Sequence, residues 1–286
     1  MPLPLAHPAA VLPLRRYCPR YLSFSALIVG SIVPDTAYAF NFHHSFQNIV
    51  TGLFGIPTRD WLAAHGMRGW DGLSHTFVGG LIFCVPLGMV LMAAFFYGRT
   101  ALVATLPNPH RDALMPLCTG PKHPLSVYAI SLLIGAWLHV IWDSFAKQDW
   151  WLAKNWTVLQ MEVADTSSAH IELYQVIWII SSIGGTVALI AAYATFLRRK
   201  GLPLWVFKRV EAPYHFLWIG AIVMPAIIAT LLSLHYFGFN FSLRHLFHWF
   251  HAFYEVYATL LACCVGSIGL ISFLIRSFPR QNALMN

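Results

Sequence analysis

Charge is what this chain has least of. Only 10% of its 286 residues are Asp, Glu, Lys or Arg, and 58% are hydrophobic, whereas soluble domains carry about 25% charged residues. A chain this apolar cannot cover itself with polar surface, so it reads as an integral membrane protein. Acidic residues are scarcer than basic ones, leaving a formal net charge of +7. In a membrane protein that excess belongs in cytoplasmic loops. No basic tract interleaved with aromatics marks a nucleic-acid surface, so nucleic acid is not an expected partner. The five cysteines (Cys18, Cys84, Cys118, Cys263 and Cys264) form no CxxC pair. That removes a cysteine zinc site and a disulfide framework, and leaves buried apolar thiols. There is no Walker lysine loop, no GxGxxG after a strand, no GxSxG elbow and no internal repeat; the last counts against an inverted-repeat transporter.

Long apolar runs, by contrast, are plentiful. Five are long enough to cross about 30 Å of hydrocarbon: residues near 75–97, 127–146, 172–197, 214–237 and 250–275. A sixth, "YLSFSALIVGSIVPDTAYAF" (21–40), follows Arg15, Arg16 and Arg20 and ends in Ala37-Tyr38-Ala39. That layout fits a cleavable signal, but Pro34-Asp35 interrupts its end, which favours a retained helix or hairpin. The expected fold is an all-α polytopic bundle of five spans plus this N-terminal element. Residues 1–200 would form the site-bearing membrane domain, with 201–286 a C-terminal pair of spans packed on it.

Loop charges set an orientation. The 198–213 loop, with Arg198, Arg199, Lys200, Lys208 and Arg209, reads as cytoplasmic, as do 98–126 and the C-terminus. The 147–171 loop then lies outside. His75, His139 and Asp143 all fall near the outer ends of their spans, at a similar depth although far apart in sequence. Asp35 joins them if 21–40 turns back or spans, and His7 does so only if residues 1–40 form a re-entrant or surface hairpin.

Within "LLIGAWLHVIWDSF" (132–145), His139 and Asp143 stand one helical turn apart on one face, with Gly135 a turn earlier leaving room for a close neighbour. Ionisable groups inside a membrane are costly and face a cavity or a partner. The pair reads either as metal ligands or as a hydrogen bond between packed spans. In "WDGLSHTF" (70–77), Asp71 or Ser74 suits a helix cap better than a nucleophile, His75 is a ligand or an interfacial histidine, and Gly79-Gly80 suggest close packing. Asp35 follows a proline that fixes its exit, and His7 precedes one; a turn residue and a helix entry are the plainer readings. Imidazole and carboxylate together suit zinc, manganese or iron better than calcium. A second cluster, His248, His251 and Glu255 with Arg244 and His245 nearby, reads as a second metal site, a proton relay or an interfacial aromatic belt, the last favoured by Trp249, Phe250 and Tyr254. His170 and Glu172 share the outer level.

The order "LAHPAAVLPLRR", "LSFSALIVGSIVPD", "SHTF", "SLLIGAWLHVIWDSF", "ELYQVIWIISSIGG" resembles a bacterial family of polytopic membrane proteins known only as a domain of unknown function. That family is in turn similar to the inner-membrane metal-dependent hydrolases and, more distantly, to zinc-dependent phospholipases C. The resemblance covers about the first two hundred residues. It implies a multi-pass protein of the bacterial inner membrane with a divalent transition metal, zinc foremost, held by His7, Asp35, His75, His139 and Asp143. Asp35 and Asp143 would be the catalytic carboxylates, and a membrane lipid or other phosphoester at the outer leaflet the substrate. Two departures stand against it: Asp35 is followed by Thr36-Ala37 where those hydrolases show "DxD", and "WDG" replaces their "HRG". The competing class is a non-catalytic transporter or scaffold whose His–Asp pairs tie helices together.

Overall fold

The computed structural model describes residues 6–18, 20–41, 70–148, 150–166, 169–202, 220–221, 223–231 and 267. They are mostly helical. A 3-10 helix, His7–Tyr17, opens the chain, followed by α1 (Phe24–Gly30), α2 (Val33–Asn41), α3 (Trp70–Ser74) and α4 (Phe77–Ala104). Then come α5 (His110–Leu114), α6 (Leu125–Ala146), α7 (Trp151–Asn155), strands β1 (Glu162–Thr166) and β2 (Ala169–Glu172), and α8 (Leu173–Arg199).

Among the described residues three helices are long and apolar enough to cross a membrane: α4, α6 and α8. They correspond to the first three expected spans, and α4 runs beyond residue 97 to Ala104. Residues 223–231 are helical within the fourth; the rest of the fourth and nearly all of the fifth lie outside the described residues, as do His248, His251, Glu255, Arg244 and His245. The stretch 21–40 is not one span-length helix. Pro34 has no amide hydrogen, and its ring would meet the carbonyl four residues back, so α1 stops at Gly30 and a new helix starts at Val33. The all-α expectation also needs amending. β1 and β2 pair in a two-stranded hairpin inside the 147–171 loop, where β-branched Val163 and Ile171 suit a ladder and the apolar periodicity of a helix is missing. The Leu173 amide closes it by donating to the Met161 carbonyl at 3.0 Å.

The chain divides into two compact units, the described parts of Met1–Ala93, His123–Thr166 and His170–Ala191 forming the first. In it α1 lies along α6 by a reciprocal fit of glycines. A Cβ on Gly135 would stand 2.4 Å from the Leu27 carbonyl oxygen, and one on Gly30 would stand 2.3 Å from that of Leu132. Ser23 caps α1 by accepting from the Ala26 amide, while its own amide donates to Ser131 Oγ of α6 at 2.9 Å. Gly185 of α8 meets Ala6 just before the 3-10 helix. Val33, Cys84 and Ala136 form a buried apolar core flanked by Val29, Phe83 and Leu87. Cys84 is thus the buried apolar thiol expected, whereas Cys18 and Cys118 are half-buried.

Candidate metal centre

Four separate pieces of chain deliver the polar residues that this apolar unit buries. The 3-10 helix brings His7, α2 brings Asp35, the α3–α4 junction brings His75, and α6 brings His139 and Asp143. His7, His139 and Asp143 are 0% exposed, His75 1% and Asp35 9%. All five sequence-expected residues meet at one place.

Each is set by local structure. Asp35 lies in the first turn of α2, where free amides favour a negative charge. His75 sits in the break between α3 and α4. Thr76, not Ser74 as the sequence suggested, caps α4 by accepting from the Gly79 amide at 2.8 Å. Gly80, a turn later, lets the Trp137 ring come close, and the Trp137 indole donates to the Phe77 carbonyl at 3.0 Å, fixing α4 to α6. Released from capping, Ser74 donates its hydroxyl hydrogen to the Pro34 carbonyl at 2.9 Å and accepts from His75 Nδ1 at 3.0 Å. His139 Nδ1 donates to the Ser31 carbonyl at 2.8 Å, the contact that the Gly30–Gly135 crossing makes room for.

These outer bonds decide where the ring protons sit. The Ser31 carbonyl can only accept, so the His139 imidazole carries a hydrogen on Nδ1. When His139 is neutral its Nε2 presents a lone pair toward the site, 3.2 Å from His75 Nε2. Asp35 Oδ1 is 3.5 Å from each of them, and Asp143 Oδ2 is 3.6 Å from His75 Nε2 and 3.7 Å from His139 Nε2. Ligand atoms of Asp35, His75, His139 and Asp143 all lie within 4.8 Å of one another. So many buried electron-rich atoms gather at low cost only around a proton or a cation. Both oxygens of Asp35 are buried without a hydrogen-bond partner, a costly condition that native interiors avoid. The residues fit a divalent cation on donor chemistry, number and outer-sphere support.

His7 stands beside this set. Its Nε2 donates to Asp143 Oδ1 at 2.9 Å, its Nδ1 is 3.5 Å from Asp35 Oδ2, and its ring stacks on His139 with centroids 3.8 Å apart. It holds Asp143 by its Oδ1, the oxygen other than the Oδ2 near His75 and His139. Lys147, at the C-terminal end of α6, is a residue the sequence reading passed over. Its Nζ is 3.3 Å from Asp143 Oδ2 and 4.7 Å from the Trp150 ring centre, and the Trp150 ring in turn lies 4.8 Å from that of His75. The signal was available, since Gly135, His139, Asp143 and Lys147 recur every fourth residue along one helical face. The side chains of Asp71 and His170 are outside the described residues, and Glu172 is half-buried.

A family model described as a domain of unknown function (DUF4184) matches residues 1–278. The chain belongs to that family. The match extends through the C-terminal region, well beyond the two hundred residues over which the quoted motifs run. No curated protein and no solved structure matches the chain.

Proposed function

We propose that the chain is a membrane-embedded, metal-dependent hydrolase. The observation that carries this reading is the convergence of two buried imidazole Nε2 atoms, 3.2 Å apart, with carboxylate oxygens of Asp35 and Asp143, the ligand atoms all lying within 4.8 Å of one another. Asp35, His75, His139 and Asp143 would hold a divalent transition metal, zinc by donor set. When bound, that ion would act as a Lewis acid, making water more acidic and steadying negative charge on an ester or phosphoester oxygen.

The chain's own groups divide the remaining work. Asp143 is engaged by His7 on one oxygen and Lys147 on the other, so it is held in place. The Asp35 side chain is 6% exposed, against 0% for the other four members of the cluster, and neither of its oxygens has a hydrogen-bond donor. Asp35 is therefore the carboxylate suited to take a proton from water. His7 keeps Asp143 aimed inward. With five spans and the loop charges as oriented above, the site lies just under the outer face of a bacterial inner membrane, where a lipid or other phosphoester headgroup is the accessible substrate.

A second reading draws on the 2.9 Å His7–Asp143 bond, which ties the N-terminal 3-10 helix to α6 without any ion. In that case the chain is a transporter or scaffold that folds metal-free. Elemental analysis of the purified protein separates the two. The hydrolase reading expects close to one transition-metal ion per chain, lost in both His139→Ala and Asp143→Ala while the helical circular dichroism persists. Metal retained in both variants, or none in the unsubstituted protein, would sink it.

A further inference from the structure

We infer that a groove beside the metal centre holds one acyl chain of a membrane lipid, which makes the substrate of that centre a lipid rather than a water-soluble phosphoester. The second half of this inference rests on the hydrolase reading above and narrows its substrate class; the first half does not need it.

The groove has a volume of about 510 Å³, within the range of about 300–1,000 Å³ in which small-ligand sites fall. Ala9 and Ala10 of the 3-10 helix form one wall, Trp142 and Phe145 of α6 a second, and Ile177 and Ser181 of α8 a third. The two alanines leave space that larger side chains would fill. The Ser181 hydroxyl is turned back to the Trp178 carbonyl of its own helix at 3.1 Å, so the walls offer an entering molecule mainly hydrocarbon and ring faces. A charged headgroup would be desolvated there without a partner, and water would find too few hydrogen bonds to stay.

Position decides between apolar occupants. Helices α6 and α8 are both long and apolar enough to cross a membrane, and the groove lies in the half of each that adjoins the loop between them. Ile141 in its wall also belongs to the exposed apolar surface of α6, as Ile180 and Ile183 belong to that of α8. The groove is therefore continuous with the surface that meets hydrocarbon, where the solvent is acyl chain. Empty volume there forfeits the dispersion contacts that a methylene chain supplies. The same walls back onto the candidate ligands. Leu138 and Trp142 line the groove one residue before His139 and Asp143, and the Trp142 ring meets that of His7 edge-on, with centres 6.3 Å apart. A chain seated here brings the ester and phosphoester linkages of its lipid next to the centre.

The test uses the full-length protein in vesicles of phosphatidylethanolamine and phosphatidylglycerol, the latter carrying a photoreactive diazirine at mid-chain. After irradiation, peptide mass spectrometry should find adducts concentrated on the groove residues of α6 and α8, well above the yield at Val90, an exposed position on α4. Ser181→Phe and Ala10→Leu fill the groove from different walls, and either should bring its adducts down to the Val90 level. Groove yields no higher than that at Val90 in the unsubstituted protein, or unchanged in both filled variants, would overturn the inference. A blank groove, the sign of another part of this chain seated in it, would do so as well. Turnover reads the substrate. Filling the groove should slow hydrolysis of phosphatidylglycerol about tenfold more than that of bis(p-nitrophenyl) phosphate, the scale on which an apolar pocket discriminates; equal slowing of both would overturn the lipid assignment. Zinc content of the same samples keeps the two readings apart. Groove adducts in a protein without zinc would support the chain site and remove the hydrolase reading, while bound zinc without groove adducts would remove this inference alone.

Discussion

Gly135→Ala is the most informative single change, because it touches no candidate ligand. The new methyl would stand 2.4 Å from the Leu27 carbonyl oxygen and 2.9 Å from the Ser31 amide nitrogen, while ordinary contact begins near 3.4 Å. Both are backbone atoms, which cannot rotate aside as a side chain can. Helix α1 must therefore back away from α6 by about 1 Å, a displacement of the kind that overpacking forces. Ser31 ends that same helix, and its carbonyl is 2.8 Å from His139 Nδ1. A shift of about 1 Å takes that contact out of hydrogen-bonding range. His139 then loses the bond that fixes its proton on Nδ1 and its Nε2 lone pair toward the site. Loss of such an outer partner typically costs 10- to 100-fold in metal affinity, and the overpacking itself about 1–3 kcal/mol of stability. Competition against a chromophoric zinc chelator, with detergent-solubilised protein, reads the affinity directly. Nitrogen-15 NMR of labelled histidine reads the tautomer independently of any metal. Zinc affinity within twofold of the unsubstituted protein, together with an unchanged His139 tautomer, would refute the reasoning.

Other outcomes follow from the same geometry. Ser74→Ala removes the hydroxyl that bridges His75 and the Pro34 carbonyl, and should weaken zinc binding about tenfold or more in the chelator assay; unchanged affinity would refute the orienting role given to Ser74. His110, outside the spans, bonds Tyr193 through Nδ1 at 2.8 Å, and burial pushes its imidazole down. As pH falls the unfolded chain takes the proton first, so the stability this contact gives is intact above the ordinary imidazole range near ~6.5. It declines as pH drops through that range toward the lower folded value. A histidine NMR titration should place the His110 midpoint below ~6.5, and a midpoint at or above it would contradict the burial argument.

How much of the site could be read from the sequence differs from residue to residue. His139 and Asp143 were legible because helical periodicity alone puts them on one face, and Lys147 extends the same ladder. Asp35 and His75 carried weaker signals, a proline and a helix break, that say where a side chain leaves the backbone but not what it meets. The cap was expected from Ser74 or Asp71: two hydroxyl residues flank His75, and only the observed turn shows that Thr76 caps α4 and leaves Ser74 beside the ring. The break between α1 and α2 was foreshadowed by Pro34, yet its consequence, a Ser31 carbonyl aimed at His139, depends on how α1 lies on α6. The hairpin in the 147–171 loop had no periodic signal strong enough to mark it.

The sequence by itself determined the solvent of this protein, the three described span-length helices and the chemical types of donor available, because these follow from hydropathy, local propensity and side-chain chemistry. Only the tertiary structure decided that the donors share one pocket, that His7 holds Asp143 from behind, and that two imidazole Nε2 atoms face each other. Those facts rest on contacts between residues separated by 64 to 136 positions, fixed by glycine crossings and outer hydrogen bonds that no local pattern records.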